Sequence, residues 1–239
     1  GDSVSKDASI MTWGFDPYLS EEDQFIGAYV AVAESLARMA ASGSGIKDAR
    51  LSFQEYFQRL GKDSEIWGKP MKSLLGALKA QIDFKVPFIG GKDSMSGSFD
   101  EIHVPPTLIS FAVNTMPGEK VLGNVLQGQG SLYRLKTEFE DGLPKAETLS
   151  QQAEFIQEAN DKGLLLACDT VSRGPVMTLL NMAWGNHAGV KVELGHDLFA
   201  KAPTDFILEV RAGQEKAFEE LAERMNSSYV LIGSVDDSG

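Results

Sequence analysis

The stretch Val86-Pro87-Phe88-Ile89-Gly90-Gly91-Lys92-Asp93-Ser94-Met95-Ser96 decides how this chain is read. Val86–Ile89 has the composition of a buried strand. Two glycines follow, and without Cβ atoms their backbone N–H groups can converge on an anion. Lys92 adds a positive charge, while Asp93, Ser94 and Ser96 can reach a metal ion or a hydroxyl group. A strand that opens into such a loop suits phosphate or metal binding. A polar turn is the competing reading, because Gly-Lys-Asp-Ser is common turn chemistry. The spacing of a Walker loop is absent, which excludes an ordinary nucleoside-triphosphatase loop.

Outward from that loop, strand and helix patterns alternate, the mark of an α/β layer. "DASIMTW" alternates like a strand. Ser20 reads as the N-cap of a helix whose stripe is Ile26, Val30, Ala33, Ala37 and Ala40, stopping at "SGSG". "ARLSF" reads as a strand and "QEYFQRLG" as a helical piece. "KPMKSLLGALKAQIDF" reads as a helix with Pro70 in its first turn and Leu74, Leu75, Leu78 and Ile82 inward. "PTLISFAVNTM" is a long strand. The Gly-rich "PGEKVLGNVLQGQG" then interrupts the pattern and marks a domain boundary near Pro117. Beyond it come the strand "SLYRLKTEF", a helix ending at Gly163, the strand "LLLACD", the helix "PVMTLLNMAWGN", the strand "DFILEVRA", the helix "QEKAFEELAERM" and the strand "YVLIGSV". The expectation is an α/β (α+β) protein of two α/β domains, 1–117 and 118–239.

The 239 residues carry a net charge of −12, which disfavours nucleic acid and anionic membranes as partners. Hydrophobic residues at 43% and charged residues at 23% point to a folded globular chain rather than a disordered one. The single cysteine, Cys168, rules out an internal disulfide, and His103, His187 and His196 have no zinc-site spacing. No signal peptide or membrane-length apolar run is visible, so the reading is cytoplasmic. The chain opens on Gly1 rather than Met and reads as a processed or excised piece.

Three carboxylates stand out as candidate Mg²⁺ ligands: Asp7 before the first strand, Glu34 at the edge of the helical stripe, and Asp169 at the mouth of "LLLACD". For Glu34 the alternative is an ordinary i, i+4 pair with Arg38. No nucleophile is set up, since Cys168 ends an apolar strand and has no histidine near it in sequence.

"GGKDSMSGSF" followed by "VPPTLISFAV" resembles the phosphoribosylformylglycinamidine synthase family. "GFDPYLS", "RLSFQEYFQRLG", "WGKPMKSLLGALKAQ" and "MAWGNHAGV" support the resemblance in the family's order. It implies the aminoimidazole ribonucleotide synthetase-like fold, and specifically the second of two tandem synthetase halves in the large form of the enzyme. That enzyme converts formylglycinamide ribonucleotide to the amidine with ATP and glutamine-derived ammonia, in purine synthesis. The implied partners are the first synthetase half and the glutaminase, both missing from this chain, which is expected to be inactive alone.

The implied cofactors are Mg²⁺ and ATP or ADP, with an auxiliary ADP held in this half. Asp7, Glu34 and Asp169 match the family's metal ligands, and Gly90, Gly91, Lys92, Asp93, Ser94 and Lys6 are the nucleotide- or substrate-binding candidates. Two departures weaken that nucleotide site. Arg38 stands where many members have Asn, and "DTVSRGP" (169–175) replaces Asp-x-Ser-Asp-Gly-Gly. Two alternatives stay open: a catalytically silent scaffold half, and another ATP-dependent enzyme of the same superfold, such as selenophosphate synthetase or thiamine-phosphate kinase.

Overall fold

The computed structural model describes residues 5–236 and 238. The chain begins with β1 (Asp7–Gly14), helices α1 (Pro17–Glu22) and α2 (Gln24–Ala41), β2 (Arg50–Tyr56) and α3 (Ser64–Phe84). It continues through β3 (Phe88–Lys92), the small hairpin β4 (Ser98–Phe99) and β5 (Ile102–His103), and the long β6 (Thr107–Pro117). These build a four-stranded sheet in the order β1-β6-β2-β3. β1 and β2 run antiparallel to β6, and β2 runs parallel to β3. β1, β2 and β3 therefore all end at the same edge of the layer.

After Pro117 come β7 (Gly130–Leu135), the hairpin β8 (Phe139–Glu140) and β9 (Leu143–Pro144), and α4 (Ala146–Asp161). β10 (Leu165–Val171), α5 (Pro175–Trp184), β11 (Gly189–Val192), β12 (Ala202–Arg211), α6 (Glu215–Arg224) and β13 (Val230–Asp236) complete the chain. Five of these strands form an antiparallel sheet in the order β10-β12-β7-β13-β11.

Alternation sets which side of the first sheet is covered. Leu51 and Phe53 of β2 and Leu108, Ser110 and Ala112 of β6 are buried toward the helices. α2 is covered on nearly every side, because it lies between its own sheet, α3 and the second unit. Its many alanines permit that, and glycines bring the neighbours closer still. A Cβ on Gly14 would collide with the Ala31 carbonyl, and one on Gly76 with the Phe25 carbonyl. One apolar core runs from Leu51 and Leu108 through Val32 and Leu36 to Phe155, Phe206 and Phe218. A second core, including Leu179, Met182 and Ile207, fills the space under α5 on the other face of the second sheet.

Several expectations change. The first helix divides in two, capped by Asp16 and Asp23, while Ser20 is buried inside α1. The first three residues of "QEYFQRLG", Gln54–Tyr56, continue β2, and the rest, 57–61, form no helix. α3 begins at Ser64, so Pro70 lies beyond its first turn. The inward face of α3 is Ser73, Gly76, Ala77 and Ala80, and Leu74, Leu75, Leu78 and Ile82 point outward. Close packing on α2 selects the small residues. β3 is an edge strand, so Phe88 and Ile89 are exposed, and Gly90 and Gly91 belong to the strand rather than to a loop. β11 went unread, since Gly189–Val192 is too short to carry a pattern.

Candidate functional site

β1 delivers the chain into a cleft of about 470 Å³ between the two units. Its walls come from the end of β1 (Trp13), the β1–α1 connection (Phe15, Asp16), α2 (Val30, Glu34, Arg38), the β8–β9 hairpin, and Ser172, Arg173 and Lys201 of the second unit. The floor is apolar, and three cations stand around it.

Glu34 is buried one helical turn before Arg38. Its Oε2 accepts the Phe15 N–H at 3.1 Å, and its Oε1 accepts from Arg38 Nη2 at 2.7 Å. The same Arg38 nitrogen donates to Ser172 Oγ at 3.3 Å, and the guanidinium lies 4.0 Å from the centre of the Trp13 ring. Burial pushes the Glu34 carboxyl above its ordinary range, and Arg38, Ser172 and the Phe15 amide counter only part of that.

Asp169 sits within β10 rather than after it, half-buried. It accepts from Asn124 Nδ2 at 3.2 Å and from the Thr170 N–H at 2.7 Å. Burial raises its carboxyl as well, and the Arg38 charge reaches it and opposes that rise. Asp16 caps α1 through the Tyr18 and Leu19 amides and accepts Lys201 Nζ at 2.6 Å. Burial would raise Asp16, but Lys201 and the two amides together outweigh it and hold the carboxyl low. Arg173 makes no ion pair among the described residues and stands exposed at the rim.

The cleft therefore holds Glu34 beside Arg38, while Asp169 stays outside its lining and is reached by the Arg38 charge alone. Asp7 is elsewhere. It pairs with Pro117 at the opposite end of β1, roughly 23 Å from Gly14 at the usual rise per strand residue. Lys6 is exposed beside it, its carbonyl accepting the Gly118 N–H. Among the described residues no group of three or more His, Cys, Asp or Glu side chains is placed to hold a metal ion. The carboxylate lining this part of the cleft, Glu34, does not fit Mg²⁺, because its Oε1 already carries the Arg38 guanidinium and its Oε2 the Phe15 N–H.

Gly90, Gly91, Lys92, Asp93 and Ser94 lie at the same end of the first sheet as the cleft, but on the opposite edge strand. Three strand spacings, about 14 Å, separate them from β1. Lys92 Nζ donates to the Asp93 carbonyl at 3.2 Å, and Ser94 Oγ meets Ser96 Oγ at 3.1 Å. The Ser94 N–H donates to the Glu55 carbonyl at 3.1 Å, which extends the edge alongside β2. Glu55 itself is buried with no partner for Oε1, and burial, reinforced by the Asp93 charge, raises its carboxyl to about 7.

Sequence reasoning missed Asp16, Arg173, Lys201 and Glu55. Asp16 had a signal, Asp-Pro opening a helix. Glu55 had one too, since Leu51 and Phe53 fix the inward parity of β2.

No protein-family model matches the chain. Phosphoribosylformylglycinamidine synthase subunit PurL of Wolinella succinogenes is 27% identical over 236 residues, covering 87% of this chain and 31% of that protein. The chain thus spans about a third of the curated relatives it matches. T. maritima PurL superposes with a TM-score of 0.76 in its complex with ATP, at 14% identity over 97% of this chain and 40% of that one. Its complex with FGAR gives 0.75, at 11% identity over 98% of this chain and 43% of that one. Thiamine-monophosphate kinase from Stenotrophomonas maltophilia gives 0.70, at 13% identity, covering 98% of this chain and 84% of that one. No helix of the described residues is long and apolar enough to cross a membrane. The chain has the aminoimidazole ribonucleotide synthetase-like α/β fold, and it resembles about a third of phosphoribosylformylglycinamidine synthase subunit PurL.

Proposed function

We propose that this chain is one synthetase half of an ATP-dependent ligase of the phosphoribosylformylglycinamidine synthase type, with formylglycinamide ribonucleotide as substrate and the cytoplasm as its setting. The likeness to PurL along most of the chain carries this reading. The division into domains at Pro117 belongs to it, and is supported by two sheets whose strands fall on either side of that residue. The half is inactive alone. A first synthetase half and a glutaminase that supplies ammonia complete it. The outer face of the first sheet supports a sheet-bearing partner, because Met11, Tyr56 and Val113 lie exposed on the side away from α2.

In this reading the cleft around Arg38 holds no Mg-nucleotide. Arg38 occupies the charge position that a metal ion would fill against Glu34, at 2.7 Å. The start of α5 is also closed to phosphate. The Val176 N–H donates to the Leu198 carbonyl at 3.2 Å, and the Phe199 backbone lies where a Cβ on Gly174 would be. The work of this half is then to shape the substrate cleft, with Gly90–Ser94 as contacts to substrate or to nucleotide of the neighbouring half, and Lys6 too far along β1 to join them.

A silent scaffold half is the second reading, favoured by the same closed α5 terminus. Turnover of the reconstituted enzyme carrying Lys92→Ala or Asp93→Ala separates the two. Lost turnover at unchanged thermal stability is expected for the synthetase half. Unchanged turnover at unchanged stability would favour the scaffold.

A further inference from the structure

We propose that the outer face of α3 is a two-fold interface that pairs this chain with a second copy of itself, helix against helix and antiparallel. The face carries Trp67, Met71, Leu74, Leu75, Leu78 and Ile82, each between 47% and 66% exposed. Their spacing of i, i+4, i+7, i+8, i+11 and i+15 places them on one side of the helix. Contiguous apolar surface of this extent is unusual on a soluble monomer. The opposite side of α3 is already committed to α2 through Ser73, Gly76, Ala77 and Ala80.

The order of the row argues for a second copy as the occupant. It is symmetric about the midpoint between Leu74 and Leu75, so it reads the same from either end. Laid antiparallel on an identical helix, Trp67 falls opposite Ile82, Met71 opposite Leu78, and Leu74 opposite Leu75. A two-fold contact requires that self-complementarity, whereas an unrelated partner does not.

Charge agrees with the same arrangement. Asp63 stands at the N-terminal end of α3 and Lys85 at the C-terminal end, and neither has an ion pair among the described residues. Antiparallel pairing sets the acidic end of each helix against Lys85 of the other, and it opposes the two helix dipoles favourably. The flanking lysines are held within their own chain: Lys69 on Gln58 at 3.1 Å, Lys72 on Asp23 at 3.1 Å and Lys79 on Asp83 at 2.8 Å. Six half-exposed large side chains from each copy bury roughly 1,000 Å² in total, the size at which specific interfaces begin.

Engineered cysteines test the geometry, and native Cys168 is buried and does not compete. In the proposed pairing Met71 of one copy meets Leu78 of the other, while like positions lie about 10 Å apart along the axes, beyond disulfide reach. The full chain carrying Met71→Cys, mixed under mild oxidant with the chain carrying Leu78→Cys, is expected to form the mixed disulfide dimer, and neither variant alone to do so. No mixed dimer, or equal cross-linking of each variant alone, would overturn the proposal. Sedimentation of uncross-linked variants separates this surface from the open sheet. Leu75→Glu is expected to weaken self-association at least about 100-fold, since two carboxylates then meet at the two-fold axis. Met11→Glu is expected to leave it unchanged, and the reverse pattern would overturn the proposal.

Discussion

Arg38 Nη2 stands 2.7 Å from Glu34 Oε1, and the side chains are 22% and 6% exposed. On an open helix surface an i, i+4 pair of this kind contributes a few tenths of a kcal/mol. Here it neutralises a carboxylate inside the junction between two sheets, and that raises the stakes of breaking it.

Replacing Arg38 with Ala therefore leaves a buried carboxylate without its counter-charge. The expected loss of stability is about 3 kcal/mol near neutral pH, read by urea denaturation. The loss depends on pH in a definite direction. Burial already raises Glu34, and removal of Arg38 raises it further, so the folded variant holds a proton that the unfolded chain releases. Stability of the variant then falls more steeply than the parent as pH rises, and the deficit shrinks toward about pH 5. A deficit that does not change with pH would separate the effect from Glu34.

Glu55 gives a second pH signature, at the other edge of the first sheet. Its carboxyl is raised from 4.5 to about 7 by burial and by Asp93. Between those values the folded chain binds a proton that the unfolded chain does not, so stability is highest near the lower value and declines as pH rises through the upper one. Glu55→Gln should remove this component, being stabilising by on the order of 2 kcal/mol at about pH 8 and close to neutral at about pH 5. Denaturation midpoints of the two proteins across that range measure it.

Gly14 lets β1 press on α2 where the cleft begins. A side chain there would strike the Ala31 carbonyl and the Ser35 amide, which are backbone atoms and cannot swing aside. Gly14→Ala is expected to cost about 3 kcal/mol or more, read as a lowered thermal midpoint. Gly90→Ala, where a Cβ meets nothing, is the control and should stay within about 0.5 kcal/mol.

Much of the architecture was legible because the strands of the first sheet alternate cleanly and their parity fixes the covered face. α3 was misread because it is apolar on two sides. Periodicity finds the stripe of large residues, but only the packing partner decides that Gly76 and Ala77 go inward. The acidic run Glu21-Glu22-Asp23 hid the break between α1 and α2, since several residues there could cap a helix. Glu34, which lines the cleft, was readable from its place at the edge of the apolar stripe. Asp7 was not, because a strand's sequence says nothing about which of its ends faces the second unit. Lys201 and Arg173 come from loops that carry no periodic signal.

The central claim is that Arg38 takes the place of a metal ion in this cleft. Isothermal titration of MgADP into the protein and into its Arg38→Asn variant tests it most directly. The account predicts no binding by the parent in the micromolar range. Micromolar binding by the parent that is abolished by Asp169→Ala would contradict it.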